Sequence, residues 1–331
     1  MKYEVFIGID VSKLTIDVAL HKTGVHQKFS NSQKGFKEME KWLRQHSKVI
    51  SSNWLVCMEH TGYYGLPVKC FLNSKNIDVC LEHPYQIKHS MGLQRSKTDK
   101  ADAKVIARYA WLHREELTPT ITASNVVLKL QTLLTYRDRL VNTKKGFTTA
   151  VKSIEDFTDK TIHGFVVKDT DSFIKQLNQK IKRVEREINE LLKSDEEVYK
   201  NYQLATSVKG IGLFIASYMI VYTQNFTSIT DSRKFACYSG IAPFEKSSGS
   251  SLYIKPKVSS LANKKMKALI NMGAWMSLQR DTELKQYYNR KVEQGKHPLC
   301  AINAVRNKLV GRVFATVKRG TPFVSIDNFR S

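Results

Sequence analysis

The chain opens on a short apolar, β-branched run, Val5-Phe6-Ile7-Gly8-Ile9, that ends in a carboxylate, Asp10. Such a run predicts a buried strand. Thr15 to Leu20 alternates in strand fashion, Thr23-Gly24 marks a turn, and His26 to Phe29 supplies a third strand. Together they predict an antiparallel meander. Phe36, Met39, Trp42 and Leu43 then fall on one face of a helix. Trp54-Leu55-Val56-Cys57-Met58 is a second buried run, and it too ends in an acid, Glu59. Thr61-Gly62-Tyr63 turns the chain into a helix through Val68, Phe71 and Leu72, and Ile77 to Leu81 gives a fifth strand.

Three strands, helix, strand, helix, strand, helix is the order of an RNase-H-like fold. The pattern then changes period. From Val126 to Val151 the spacing is helical, with Val127, Leu130, Leu134 and Val141 near one face. Thr158 to Thr170 breaks that pattern. Ile174, Leu177, Ile181, Val184, Ile188 and Leu191 follow in steps of three and four, which is a heptad seam. A coiled coil between subunits, an antiparallel hairpin within one chain and a helix packed on its own domain all satisfy that seam.

Further on, Val208-Lys209-Gly210-Ile211-Gly212 precedes an apolar helix, Leu213 to Tyr222. The turn is similar to the hairpin of helix-hairpin-helix modules, and equally to a plain helix cap. Phe235 to Pro243 leads into Lys246-Ser247-Ser248-Gly249-Ser250-Ser251, which reads either as a flexible Ser-Gly linker or as a loop exposing a nucleophilic serine. Helices follow at Lys264 to Leu278, Glu283 to Val292 and Pro298 to Lys318. The predicted architecture is α/β plus α. It has an RNase-H-like domain over residues 1–124, a helical coiled-coil segment over 125–200 and a mainly helical domain over 201–331.

Candidate chemistry comes from the acids. A carboxylate ending a buried strand needs a partner. Glu59 ends another run, and neighbouring strands would bring it beside Asp10. In Lys97-Thr98-Asp99-Lys100-Ala101-Asp102-Ala103, two acids stand three apart and so share a helix face. Each acid alone reads as a turn residue, an ion-pair partner or the acidic first turn of a helix. Four acids converging would repel one another unless they held hard cations. Oxygen-only ligation suits Mg²⁺ or Mn²⁺, and such ions serve phosphoryl transfer.

Charge adds a partner class. The 331 residues carry 53 Lys and Arg against 30 Asp and Glu, a formal net charge of +23. The excess is concentrated in residues 251–331, which hold 16 basic and four acidic side chains. Lys264, Lys265, Lys267, Arg306, Lys308 and Arg312 lie there. So one-sided a field points to nucleic acid. The five cysteines form no C-x-x-C pair, so the reading is buried free thiols in a reducing cytoplasm. No apolar run reaches membrane-spanning length, and no membrane partner is expected.

These motifs together resemble the insertion-sequence transposases that join a DEDD-type RuvC-like domain to a "transposase 20" domain. That group includes RNA-guided bridge recombinases and pilin-gene invertases. The residues carrying the resemblance are Gly8 to Lys13, then Glu59 with Thr61-Gly62-Tyr63, then Lys97-Thr98-Asp99 with Asp102-Ala103. In the C-terminal part they are Gly210-Ile211-Gly212, Gly240-Ile241-Ala242-Pro243 and Ser248-Gly249. The resemblance implies that Asp10, Glu59, Asp99 and Asp102 ligate Mg²⁺ or Mn²⁺. It implies that Ser248 attacks DNA to form a phosphoserine link, in a site shared between subunits of a homo-oligomer, a dimer assembling to a tetramer. Donor DNA, target DNA and a guide (bridge) RNA are the implied partners, in a prokaryotic cytoplasm. Ser247, Ser250 and Ser251 crowd the motif, and Ser239 is a further candidate hydroxyl. Two other functions fit the residues: a metal-dependent junction nuclease using water, and a nucleic-acid-binding protein without catalysis.

Overall fold

A computed structural model of the chain describes residues 2–60, 62–90, 98–120, 124–154, 159–248, 252–259 and 261–325. It divides into two compact units, residues 1–122 and 123–331. Residues 125–200 belong to the second.

The first unit is built on a five-stranded sheet. Its strands are β1 (Val5–Val11), β2 (Thr15–Leu20), β3 (His26–Ser30), β4 (Trp54–Glu59) and β5 (Asp78–Glu82), in the order β3-β2-β1-β4-β5. The meander β1-β2-β3 is antiparallel, and β4 and β5 join it in parallel. Strand alternation sorts the side chains between two faces. Ile7, Ile9, Ile16, Val18, Val56 and Met58 pack under helices α1 (Gln33–Ser47) and α2 (Leu66–Ser74). Phe6, Leu55, Cys57 and Cys80 face the other way, under α3 (Pro84–Ser90) and α4 (Asp99–Leu112). Burying each large aliphatic side chain contributes roughly 1.5–3 kcal/mol, so both faces are strongly specified.

Helix α4 lies unusually close to the sheet. A Cβ built on Gly8 would overlap the Ala103 carbonyl and the Ala107 backbone. Gly8 stands opposite Ala19 in the β1–β2 register, and Ala19, Ala103 and Ala107 form a buried cluster of their own. Small residues on both surfaces therefore seat the helix directly on the strand that carries Asp10. Thr98 caps it, its hydroxyl accepting from the Ala101 amide at 3.2 Å.

The second unit starts with a long hairpin, α5 (Asn125–Ser153) and α6 (Lys160–Lys193). Arg137 Nε donates to Glu185 Oε1 at 2.8 Å, and the rings of Phe147 and Phe173 meet edge to face at 5.0 Å. The pairings run in opposite directions, so the heptad seam closes antiparallel within one chain. Leu177, Val184 and Ile188 share one core with Leu130 and Leu134. The break expected over Thr158 to Thr170 is absent from Lys160 onward. Asp159 caps α6, accepting from the Thr161 amide at 2.8 Å, and the helix runs unbroken from Lys160 to Lys193.

Six more helices and a ribbon complete the described part of the unit. They are α7 (Glu196–Thr206), the mostly buried α8 (Leu213–Thr223), α9 (Ser232–Tyr238), α10 (Lys264–Arg280), α11 (Thr282–Glu293) and α12 (Pro298–Arg319), with β6 (Pro243–Ser248) paired antiparallel to β7 (Leu252–Val258) between α9 and α10. No described helix is long and apolar enough to cross a membrane. All five cysteines are free, but only Cys57 and Cys80 are buried; Cys70, Cys237 and Cys300 are exposed, which corrects the expectation of five buried thiols.

Candidate active site

Alternation along the strands places four acids on the face that α4 covers. Asp17, Asp10, Glu59 and Glu82 come from β2, β1, β4 and β5, four strands adjacent in the sheet. Asp10 stands opposite Asp17, and Glu59 opposite Glu82. Ile9 pairs with Met58, so Asp10 and Glu59 are the next residues along neighbouring parallel strands. Asp99 and Asp102 form the acidic first turn of α4, the helix held against Gly8.

The ends of this row are compensated. Asp17 is buried, yet His26 Nε2 lies 2.7 Å from its Oδ1 and Lys28 Nζ lies 3.3 Å from its Oδ2. Lys28 also reaches Asp99, at 3.5 Å. Glu82 accepts a hydrogen bond from the Tyr109 hydroxyl and feels His113, both of which favour its charged form; burial still leaves its carboxyl above the usual range.

The centre of the row is different. Burial, then the charges of Asp102, Glu59 and Asp99, push the Asp10 carboxyl up to about 6; only the Val11 amide acts against them. Glu59 is raised by burial and by Asp102, with His83 opposing. Asp10 thus feels the other three acids expected from the sequence, and Glu59 feels Asp102. Sequence reasoning missed Asp17 and Glu82. Their signals were present: Glu82 ends the fifth apolar run as Glu59 ends the fourth, and Asp17 shares its strand parity with the small Ala19.

Hard oxygen donors repelling one another fit a divalent cation. Among the described residues, no three His, Cys, Asp or Glu side chains stand in a ready-made ligating cluster. The charge coupling is the more telling observation, because like charges act beyond ligating distance and a cation removes that penalty. Thr61 and Lys97 of the flanking motifs lie outside the described residues.

In the second unit, Ser248 ends β6 opposite Leu252, and Ser247 stands opposite Tyr253. The segment expected as a loop is therefore strand as far as Ser248; cross-strand pairing of a two-stranded ribbon overrides its Ser-rich composition. Gly249, Ser250 and Ser251 lie outside the described residues. Ser239 is fully buried at the end of α9, its hydroxyl donating to the Phe235 carbonyl at 2.7 Å, which removes it as an accessible nucleophile. Gly210, at φ +98°, packs against α10, where a Cβ would collide with the Gly273 carbonyl and Ser277. Helix packing accounts for that glycine. Gly212 caps α8 and has open space beside it.

Four basic side chains of this unit show two situations. Arg312 Nη1 donates to the buried Asp281 at 2.7 Å, and its Nη2 lies 2.7 Å from Glu283. Lys265 lies 2.7 Å from Asp138, and Lys308 4.0 Å from Glu283. Arg306 instead binds neutral amides: its Nε and Nη2 donate to Asn271 Oδ1, and its Nη1 to Asn303 Oδ1.

Residues 7–158 match the IS110-type DEDD transposase family, and residues 202–289 match the transposase IS116/IS110/IS902 family. The pilin gene-inverting protein of Moraxella bovis is 27% identical over 325 residues, covering 96% of this chain and 97% of its own. That of Moraxella lacunata is equally similar. An uncharacterized 43.6 kDa protein of insertion element IS110 from Streptomyces coelicolor is 26% identical over 160 residues, 48% of this chain and 38% of that protein. With two family matches in order along a chain of which 96% aligns with the Moraxella proteins, the protein belongs to the IS110 family of transposases.

Proposed function

We propose that this transposase cuts and rejoins donor and target DNA with a divalent-metal site in an RNase-H-like first domain and a serine nucleophile in the second. The observation that carries the metal site is the centre of the acid row. Asp10, Glu59, Asp99 and Asp102 would hold Mg²⁺ or Mn²⁺, since three carboxylates and burial hold the Asp10 carboxyl up to about 6. Asp17 and Glu82 are supporting residues, because His26, Lys28 and Tyr109 already answer their charge. When bound, the cation would polarise a phosphoryl oxygen and stabilise the leaving oxygen.

Ser248 would attack phosphorus, forming a phosphoserine bond as one P–O bond of the DNA breaks and the displaced deoxyribose oxygen takes up a proton. Its place at the end of a strand, next to a Gly, supports it over the buried Ser239. The domains would be residues 1–124, 125–200 and 201–331. By the resemblance, a guide RNA selects the DNA, and subunits of an oligomer share the site. The test is a denaturing gel with end-labelled DNA. Wild type is expected to leave a protein–DNA adduct and Ser248→Ala none. An adduct lost only in Ser247→Ala moves the nucleophile by one residue. Metal-dependent cleavage with no adduct in any variant identifies a water-using nuclease instead.

A further inference from the structure

We propose that Arg306 is a receptor for a DNA backbone phosphate at the root of the β6–β7 ribbon. A half-buried guanidinium is stable when a carboxylate faces it, as Asp281 and Glu283 face Arg312 one turn and a half further along α12. Among the described residues Arg306 has no such counter-charge. Its partners are the amide oxygens of Asn271 and Asn303, which orient the group and leave its charge in place. Burial acts against that charge, lowering the affinity of the guanidinium for its proton from the ordinary value.

A guanidinium has five N–H donors. Three are engaged by the two amides. The remaining two, one on each terminal nitrogen, are left to donate to the oxygens of a phosphate.

The same network fixes where that phosphate would lie. Asn303 Nδ2 donates to the Ile241 carbonyl at 2.7 Å, and Asn307 Nδ2 donates to it at 3.1 Å. Ile241 leads through Ala242 into β6, the strand that ends in Ser248. From Pro243 to Ser248 a strand advances roughly 17 Å at about 3.3 Å per residue. Arg306 is therefore a flanking contact, placed by α12 on the same framework as the serine strand, and not a group at the reacting phosphorus. DNA is the occupant because the path to Ser248 is the path of the strand to be cut. In this the proposal rests on the serine reading, but its test does not use that chemistry.

The experiment measures binding of a fluorescein-labelled mixed-sequence DNA duplex to the full chain across a salt series. Arg306→Gln is expected to weaken binding roughly tenfold. It is also expected to reduce the slope of log affinity against log salt by about 0.9, the value for one phosphate contact. Arg306→Lys should keep the slope and recover part of the affinity. Asn271→Asp is the sharper variant. It preserves size and the bonds to Arg306 but supplies the missing carboxylate, so the chain should melt at or above the wild-type temperature and still lose the phosphate contact. A folded Asn271→Asp that binds DNA with wild-type affinity and slope overturns the proposal. So does loss of the folded state in both Arg306→Gln and Asn271→Asp, which makes Arg306 a packing residue. A slope change seen with an RNA hairpin but not with the duplex overturns the assignment to DNA. If the Ser248 reading fails, adduct formation is lost from the account while these slopes stand.

Discussion

Two regions of this protein carry the same lesson with opposite signs. On the α4 face of the sheet, Asp10 and Glu59 are raised by neighbouring acids and burial, while the adjacent Asp17 is held by His26 and Lys28. On α12, Arg306 is surrounded by amides, while Arg312 is held by Asp281 and Glu283. Each region thus contains its own control: one group of a given charge that the fold compensates and one that it does not. Compensated charge is architecture. Charge left uncompensated in a partly buried place marks where a ligand of opposite sign belongs.

The largest expected effect tests the compensated side. Asp281 is almost wholly buried, accepts from Arg312, and caps α11 through the Leu284 amide at 2.9 Å. Asp281→Ala should destabilise the chain by about 3–5 kcal/mol, as removing one member of a buried pair does. Urea unfolding measures this. Arg306→Gln should lower stability by less than about 1 kcal/mol in the same experiment, because its partners are neutral and remain hydratable. Equal losses for the two variants would erase the distinction between the arginines.

Next in size is Gly8→Ala. The added methyl meets the backbone of α4, which cannot rotate away as a side chain could, so the helix must shift. A loss of about 1–3 kcal/mol is expected, as for other overpacked sites. The shift should also withdraw Asp102 and Asp99 from Asp10 and return its carboxyl toward the ordinary value. Carbon-detected NMR titration of the Asp side chains reads this directly. An unchanged Asp10 titration would mean that the seating of α4 does not set the site.

Much of this was legible in the residues. The apolar runs ending in Asp10 and Glu59 gave the strands and both acids, and the three-residue spacing of Asp99 and Asp102 gave the helical pair. Gly8 stood inside the first apolar run with no packing role assigned to it; only the register with Ala19 and the crossing of Ala103 and Ala107 explain it. Asp17 and Glu82 were not singled out, because strand pairing decides which acids become neighbours, and pairing is not local. The ribbon from Pro243 was hidden for the same reason: its Ser-Gly composition is that of a linker, and cross-strand partners make it a strand. Arg306 and Arg312 are indistinguishable as letters six residues apart. Their difference lies in α10, which brings the Asn271 amide to one, and in α11 with its cap, which bring the carboxylates of Glu283 and Asp281 to the other.

A pair of isosteric changes separates the two aspartates. Asp17→Asn leaves Lys28 and His26 facing a neutral amide, and should destabilise by on the order of 1 kcal/mol. In EDTA at pH 7, Asp10→Asn removes repulsion and should stabilise by a similar amount, discounted for partial exposure. Thermal melts of both variants decide it. Matching signs would show that Asp10 is compensated after all.

The smallest effect is a pH dependence, and its sign is fixed by the direction of the shift. Asp10 has an ordinary pKa of 3.8 and in the fold is pushed up to about 6. A raised acid binds its proton more tightly in the folded chain than in the unfolded one. The stability this gives is fully present below about pH 4 and is lost as pH rises through about 6. Metal-free protein should therefore become less stable over that window on account of this group, and Asp10→Asn should flatten the trend. A divalent cation competes with the same proton. Added Mg²⁺ should raise the melting temperature more at pH 7, where Asp10 is ionised, than at pH 5, where it is protonated. Carboxylates already held by partners, such as Asp17, have no unmet charge for the ion to neutralise, so Asp17→Asn should leave the difference between the two pH values intact. A Mg²⁺ effect equal at both pH values, or one that survives Asp10→Asn undiminished, would place the cation elsewhere than at the centre of the acid row.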